Sequence, residues 1–88
     1  MNDDKLFSLQ VESALTFHIR CELENIKEGK RKCAVTKGEI HEWADEFYCT
    51  FKQSYPRVTL DRKKSVKEFT ESCYSWVNKV CQELLVEE

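Results

Sequence analysis

The chain contains almost none of the residues that form tight turns, with two glycines and one proline among 88 residues. Sandwiches, barrels and hairpin-rich folds reverse the chain often and rely on such residues at each reversal. A fold built from a few long helices avoids that requirement. We therefore predict an all-α protein, and at this length a single domain over residues 1–88 with one modest core.

The first predicted helix covers about residues 5–27, a segment without glycine or proline. Apolar residues recur there at steps of three and four, which places them on one face of a helix. They are Phe7, Val11, Leu15, Ile19, Leu23 and Ile26. Gly29 follows the last of them and is a typical C-terminal stop.

The second predicted helix covers about residues 37–54. Thr36 and Glu39 have the spacing of a capping box at its start, and Pro56 follows its end. Its apolar stripe is bulky and aromatic, and runs through Ile40, Trp43, Ala44, Phe47, Tyr48, Phe51 and Tyr55.

The third predicted helix covers about residues 62–86, and its N-cap is either Asp61 or Ser65. Its apolar stripe contains Val66, Phe69, Cys73, Trp76, Val77, Val80, Cys81 and Leu84. Three helices joined by connectors of about ten residues predict an up-down-up bundle.

The sequence lacks the motifs of common enzymes. Gly29 and Gly38 belong to no phosphate-binding pattern, and no Gly-x-Ser-x-Gly occurs. The five cysteines include no Cys-x₂-Cys pair, and the nearest approach to metal-ligand spacing is His18, Cys21 and Glu22. We interpret His18 and Glu22 as a polar bridge and expect no enzyme activity, no cofactor and no metal site.

We expect a cytoplasmic protein that does not enter membranes. The acidic, polar start does not resemble a signal peptide, and no apolar run approaches the length of a membrane span. The odd number of cysteines is then interpreted as reduced thiols.

A second apolar stripe runs along the first helix, on roughly the opposite side from Val11 and Leu15. Its members are Leu6, Leu9, Ser13 and Phe17. A helix that is apolar on two sides either lies between the other helices of its own fold or contacts another chain. Both interpretations remain open from the sequence, and self-association through this stripe is a natural form of the second.

The second helix carries an acidic run on its outer surface, comprising Glu39, Glu42, Asp45 and Glu46. Such a run is usually a solvated face. The alternative is a patch that attracts a basic partner. Cys49 also falls on this polar side, and the sequence assigns it no role.

Basic residues cluster around both connectors. The first is surrounded by Lys27, Lys30, Arg31, Lys32 and Lys37, and the second by Arg57, Arg62, Lys63, Lys64 and Lys67. Two observations argue against a dedicated nucleic-acid module. The net charge is −2, and the bundle would place the two connectors at opposite ends.

The favoured hypothesis is a small non-catalytic interaction protein. It would act as an adaptor, or as an inhibitor that covers a surface of a larger protein, in the manner of immunity proteins, antitoxins or phage inhibitors. The alternative is a small homodimeric DNA- or RNA-binding regulator that uses the basic connectors. The two differ in salt dependence, which is steep for phosphate contacts.

Overall fold

Three helices and two connectors make up the part of the chain that the computed structural model describes, residues 3–85. The helices are α1 (Asp3–Lys27), α2 (Lys37–Lys52) and α3 (Arg62–Leu84). No strand occurs within residues 3–85. The predicted all-α three-helix fold is confirmed, and the predicted end of the third helix at residue 86 lies outside the described residues.

The helices α1 and α2 run antiparallel, as the ring contacts between them show. Phe7 near the start of α1 meets Tyr48 and Tyr55, whereas His18 further along α1 meets Trp43 near the start of α2. Each helix also contacts both of the others. The resulting bundle is elongated, with extents of 50 × 20 × 19 Å.

Each helix buries one face in a common core. All six apolar residues predicted for the inner face of α1 are buried. The other helices contribute Ile40, Ala44, Tyr48, Val66, Phe69, Cys73, Val77 and Cys81, and the connectors add Val35 and Val58. Burial raises the pKa of the Cys73 thiol. Several large residues of the predicted stripes, such as Trp43, Phe47 and Trp76, are only half-buried.

The helix ends follow local side-chain chemistry. The capping box of α2 is formed in both directions, because the Thr36 hydroxyl accepts from the Glu39 amide and the Glu39 carboxylate accepts from the Thr36 amide. Asp61, not Ser65, is the N-cap of α3, and Ser65 is buried one turn inside the helix. Gly29 adopts a φ of 79°, which suits a glycine at the end of α1.

The second helix ends at Lys52, two residues earlier than residue 54. The Lys52 ammonium donates to the carbonyl oxygens of Pro56 and Val58 at 3.2 and 2.6 Å. These bonds tie the end of α2 to the connector that follows it. The chain therefore turns before Pro56 rather than continuing as a helix up to it.

The second connector is also fastened to α1. The backbone amide and the hydroxyl of Thr59 donate to the Asp4 carboxylate at 2.9 and 2.7 Å. The Tyr48 hydroxyl donates to the Leu60 carbonyl at 2.7 Å. These contacts hold the start of α1 against the link between α2 and α3.

Within residues 3–85, none of the helices combines the length and the apolar character needed to cross a membrane.

Candidate functional site

The second apolar stripe of α1 faces solvent. Leu9 is 47% exposed and Phe17 is 70% exposed. Ser13 lies between them and is exposed, and Leu6 is half-buried. The inner face of α1 already fills the contact with the other two helices, so Leu9 and Phe17 do not lie between helices of this fold. We call Leu9, Ser13 and Phe17 the outer strip.

An aromatic seam runs along the junction of α1 and α2. The His18 ring packs edge-on against Trp43 with 4.5 Å between centroids, and lies 6.0 Å from Phe47. Phe47 in turn stacks with Phe51 at 6.3 Å. All four of these rings are half-buried. His18 was predicted to form a polar bridge with Glu22, but it packs against the Trp43 ring, while the Glu22 carboxylate accepts from Arg31 of the first connector.

The acidic run of α2 does not form one uniform patch. Glu39 accepts from Arg31 and belongs to the capping box, and Asp45 accepts two hydrogen bonds from Arg62, both at 2.7 Å. Glu42 and Glu46 are exposed, and within residues 3–85 neither forms a hydrogen bond or an ion pair. The negative charge available to a partner is therefore concentrated on Glu42 and Glu46.

Arg31 is built into the fold. Its guanidinium donates to the Glu39 carboxylate at 2.6 Å, to the Glu22 carboxylate at 3.2 Å, and to the carbonyl oxygens of Cys33 and Ala34 at 2.9 and 3.1 Å. The hydrogen bond to Glu39 raises the pKa of Arg31 and lowers the pKa of Glu39. Arg31 joins α1, the first connector and α2, so it is not free to bind phosphates as the alternative hypothesis required.

The other members of the first basic cluster are on the surface. Lys30 pairs with Glu28 at 3.0 Å, and Lys32 is exposed. Lys37 lies 4.0 Å from Glu71 of α3, and its ammonium is 6.0 Å from the centre of the Tyr74 ring. Lys37 is therefore directed toward α3 rather than grouped with Lys30 and Lys32.

In the second basic cluster, Arg62 is paired with Asp45, which raises the pKa of Arg62 and lowers that of Asp45. Arg57, Lys63 and Lys64 are exposed. The two clusters were predicted to lie at opposite ends of the bundle, but Lys37 of the first and Lys67 of the second line the same hollow between α2 and α3.

Comparison with protein-family models, curated proteins and solved structures finds no match to this chain. In the part of the chain that the structure describes, no group of three histidine, cysteine, aspartate or glutamate side chains is placed to hold a metal ion.

The lowered pKa values of the hydrogen-bonded carboxylates predict how the free energy of unfolding depends on pH. Hydrogen bonds from Thr59, Arg31 and Arg62 lower the pKa values of Asp4, Glu39 and Asp45, respectively. A lowered folded-state pKa stabilises the fold above the unfolded-state pKa, and that contribution is lost as pH falls through the folded value. We expect the free energy of unfolding to be level near neutral pH and to fall below about pH 4.5.

Urea unfolding across this pH range, followed by circular dichroism, measures the effect. The variant Glu39→Gln should be less stable than the wild type at neutral pH and should lose less on acidification. An acid loss in Glu39→Gln as large as that of the wild type would contradict the assignment of part of this loss to Glu39.

Proposed function

We propose that this chain is a small non-catalytic interaction protein, an adaptor or an inhibitor that binds a larger protein and covers part of its surface. The exposure of Leu9 and Phe17 on α1 supports this most directly. The core is complete without either side chain. An exposed phenylalanine and leucine two turns apart offer apolar area that a partner can bury, and a central apolar anchor is how many interfaces gain their affinity.

The surroundings of the outer strip indicate the chemistry of the partner. Phe17 precedes His18 in sequence and lies about 100° from it around α1, so the outer strip and the aromatic seam occupy neighbouring sectors of the surface. Across the seam, Glu42 and Glu46 immediately precede Trp43 and Phe47 on α2. We infer that the partner presents an apolar pocket for Phe17 with basic residues at its edge, which Glu42 and Glu46 would face.

The mechanism that fits this surface is steric occlusion. Phe17 and Leu9 would anchor the contact, while the two free carboxylates would orient the partner and accelerate encounter. A 25-residue helix is about 37 Å long. That length suits the roughly 800 Å² per partner of a standard interface, so α1 together with the seam could cover a functional surface on a larger protein.

A cytoplasmic location belongs to the same proposal. All five cysteines are free, and Cys21, Cys33 and Cys49 are exposed. Unpaired exposed thiols are typical of a reducing compartment.

The test compares wild-type protein with the double variant Leu9→Asp/Phe17→Asp as immobilised baits in nuclease-treated lysate of the source cells. Asn78→Asp/Gln82→Asp is the matched control, because it adds the same charge at two exposed positions one turn apart on α3. We expect one protein to bind wild type and control stoichiometrically, and its affinity for the double variant to fall at least about 100-fold. Glu42→Lys/Glu46→Lys should slow its association about 10-fold.

Several outcomes would contradict the proposal. One is a partner that the double variant retains, and another is the absence of any nuclease-resistant partner. Loss of helical circular dichroism in the double variant would show that the strip belongs to the core. A wild-type protein that sediments as a dimer, and becomes monomeric in the double variant, would assign the strip to a second copy of this chain instead.

A further inference from the structure

A groove lined by several charged side chains runs between α2 and α3, on the side of α2 away from the aromatic seam. It consists of two adjoining hollows of about 560 and 350 Å³ that share His41 and Lys67. A single water occupies only about 30 Å³ in the liquid. The groove therefore has room for a ligand of several covalently linked groups rather than for one small ion.

Cationic side chains outnumber carboxylates along the groove. The cations are Lys37, Arg62, Lys63 and Lys67, and the carboxylates are Asp45 and Glu71. Arg62 is paired with Asp45, and Lys37 lies at the 4.0 Å limit of an ion pair with Glu71. Within residues 3–85, Lys63 and Lys67 have no acidic partner. The groove thus has a net positive charge in a chain whose overall charge is −2.

The start of α3 adds to this positive potential. Its first turn contains Arg62, Lys63 and Lys64 and no acidic residue. The N-cap Asp61 accepts the Lys64 amide. Cations are unfavourable beside the positive end of a helix dipole, and a bound anion would offset that repulsion.

Gly38 lies on the α2 wall of the groove without a structural reason to be glycine. Its φ is not positive, and a Cβ added there would meet only the Thr36 hydroxyl oxygen at 3.9 Å. A glycine within a helix weakens that helix. Because glycine has no side chain, Gly38 leaves open space in the groove beside Lys37 and Lys67.

We propose that this groove binds the phosphate backbone of a nucleic-acid strand. Lys63 and Lys67 are one helical turn apart, which separates them by about 6 Å. Lys37 lines the hollow beyond Lys67. Charges spaced along an open groove suit a ligand with repeated anionic groups, whereas a site for a single anion would bring its donors together at one point.

A backbone of phosphates fits better than an acidic peptide. Among the described residues that line the groove, Val66 is the one large apolar residue, and it is 1% exposed and forms part of the core. The apolar part of the groove wall therefore comes from carbon atoms of the polar and charged lining residues. A peptide would find no exposed apolar side chain to pack against there, whereas phosphate binding depends on charge and hydrogen bonds. This site lies away from the outer strip, so its argument does not rest on the proposed function.

Lys37 lies close to the second basic cluster because of the register of the two antiparallel helices. Arg62 at the start of α3 pairs with Asp45 in the middle of α2, so the start of α2 lies beside Thr70 and Glu71 of α3. The groove replaces the connectors as the proposed nucleic-acid surface, and it includes His41, which does not belong to either basic cluster.

Fluorescence anisotropy of the full chain with labelled single-stranded DNA and RNA of about 12 nucleotides tests the proposal, at salt from about 50 to 200 mM. With three phosphates neutralised, the logarithm of the association constant should fall with a slope of about −2 against the logarithm of salt concentration. Lys63→Ala/Lys67→Ala should weaken binding at least about 10-fold and reduce the slope to about −0.7.

Two further variants make the test specific. Lys30→Ala/Lys32→Ala removes the same charge from the first connector and should bind like the wild type. Gly38→Gln changes no charge and should preserve the helical circular dichroism, but its side chain should occupy the groove and weaken binding about 5-fold or more.

Three results would overturn the proposal. The first is no measurable binding at the lowest salt. The second is an equal loss of affinity in the connector variant and in Lys63→Ala/Lys67→Ala. The third is a poly-glutamate peptide that displaces the oligonucleotide at equal charge concentration, which would identify the groove as a site for acidic protein segments.

Discussion

Replacing Phe7 with alanine is expected to lower the free energy of unfolding by about 4 kcal/mol. Phe7 is 0% exposed, and its ring packs edge-on against Tyr48 and Tyr55, with centroids at 4.9 and 6.3 Å. Alanine would remove the ring and leave a cavity between α1 and α2. Urea unfolding followed by circular dichroism measures the loss.

The same substitution at Phe17 is the matched control, because both residues are phenylalanines on α1. Phe17 lies on the outer strip, so Phe17→Ala should change the free energy of unfolding by less than about 0.5 kcal/mol. Comparable losses in the two variants would show that α1 uses both sides in its own core. The proposed function would then lack the exposed apolar residues on which it depends.

Replacing Arg31 with methionine is expected to cost about 2 kcal/mol, because Glu22 and Glu39 would lose their shared cationic partner and two connector carbonyls would lose a donor. Methionine keeps most of the length of the side chain and removes the charge. For a chain of this size, a thermal scan should show a melting temperature lower by about 10 °C.

Lys32→Met removes the same charge from the same connector at an exposed position, and we expect it to change stability by less than about 0.5 kcal/mol. Equal effects of the two substitutions would mean that Arg31 contributes only its charge. A larger effect at Arg31 would support its role in joining α1 to α2.

The three helices could be predicted because their signals are local. Periodicity identified all six buried positions of α1, and the capping box at Thr36 and Glu39 marked the start of α2 correctly. The end of α2 was placed too late, since it depends on bonds from Lys52 to carbonyls further along the chain. The choice between Asp61 and Ser65 also depended on which residue the core buries.

The candidate surfaces were only partly predictable. The outer strip followed from the angular positions of residues on one helix, but its exposure depended on where α2 and α3 pack. The contacts of Arg31 with Glu22 and Glu39 join residues of different elements, which no helical period encodes. The α2–α3 groove likewise depends on the register and rotation of two helices relative to each other.

Because Cys73 and Cys81 are buried, their thiols can serve as chemical probes of the transient opening of α3. Alkylating reagents can reach Cys21, Cys33 and Cys49 in the native state, because these three are exposed. The buried pair can react only when the helix separates transiently from the bundle. With the three surface positions changed to serine, the alkylation rate of Cys73 and Cys81 would report how often α3 opens while the chain remains folded.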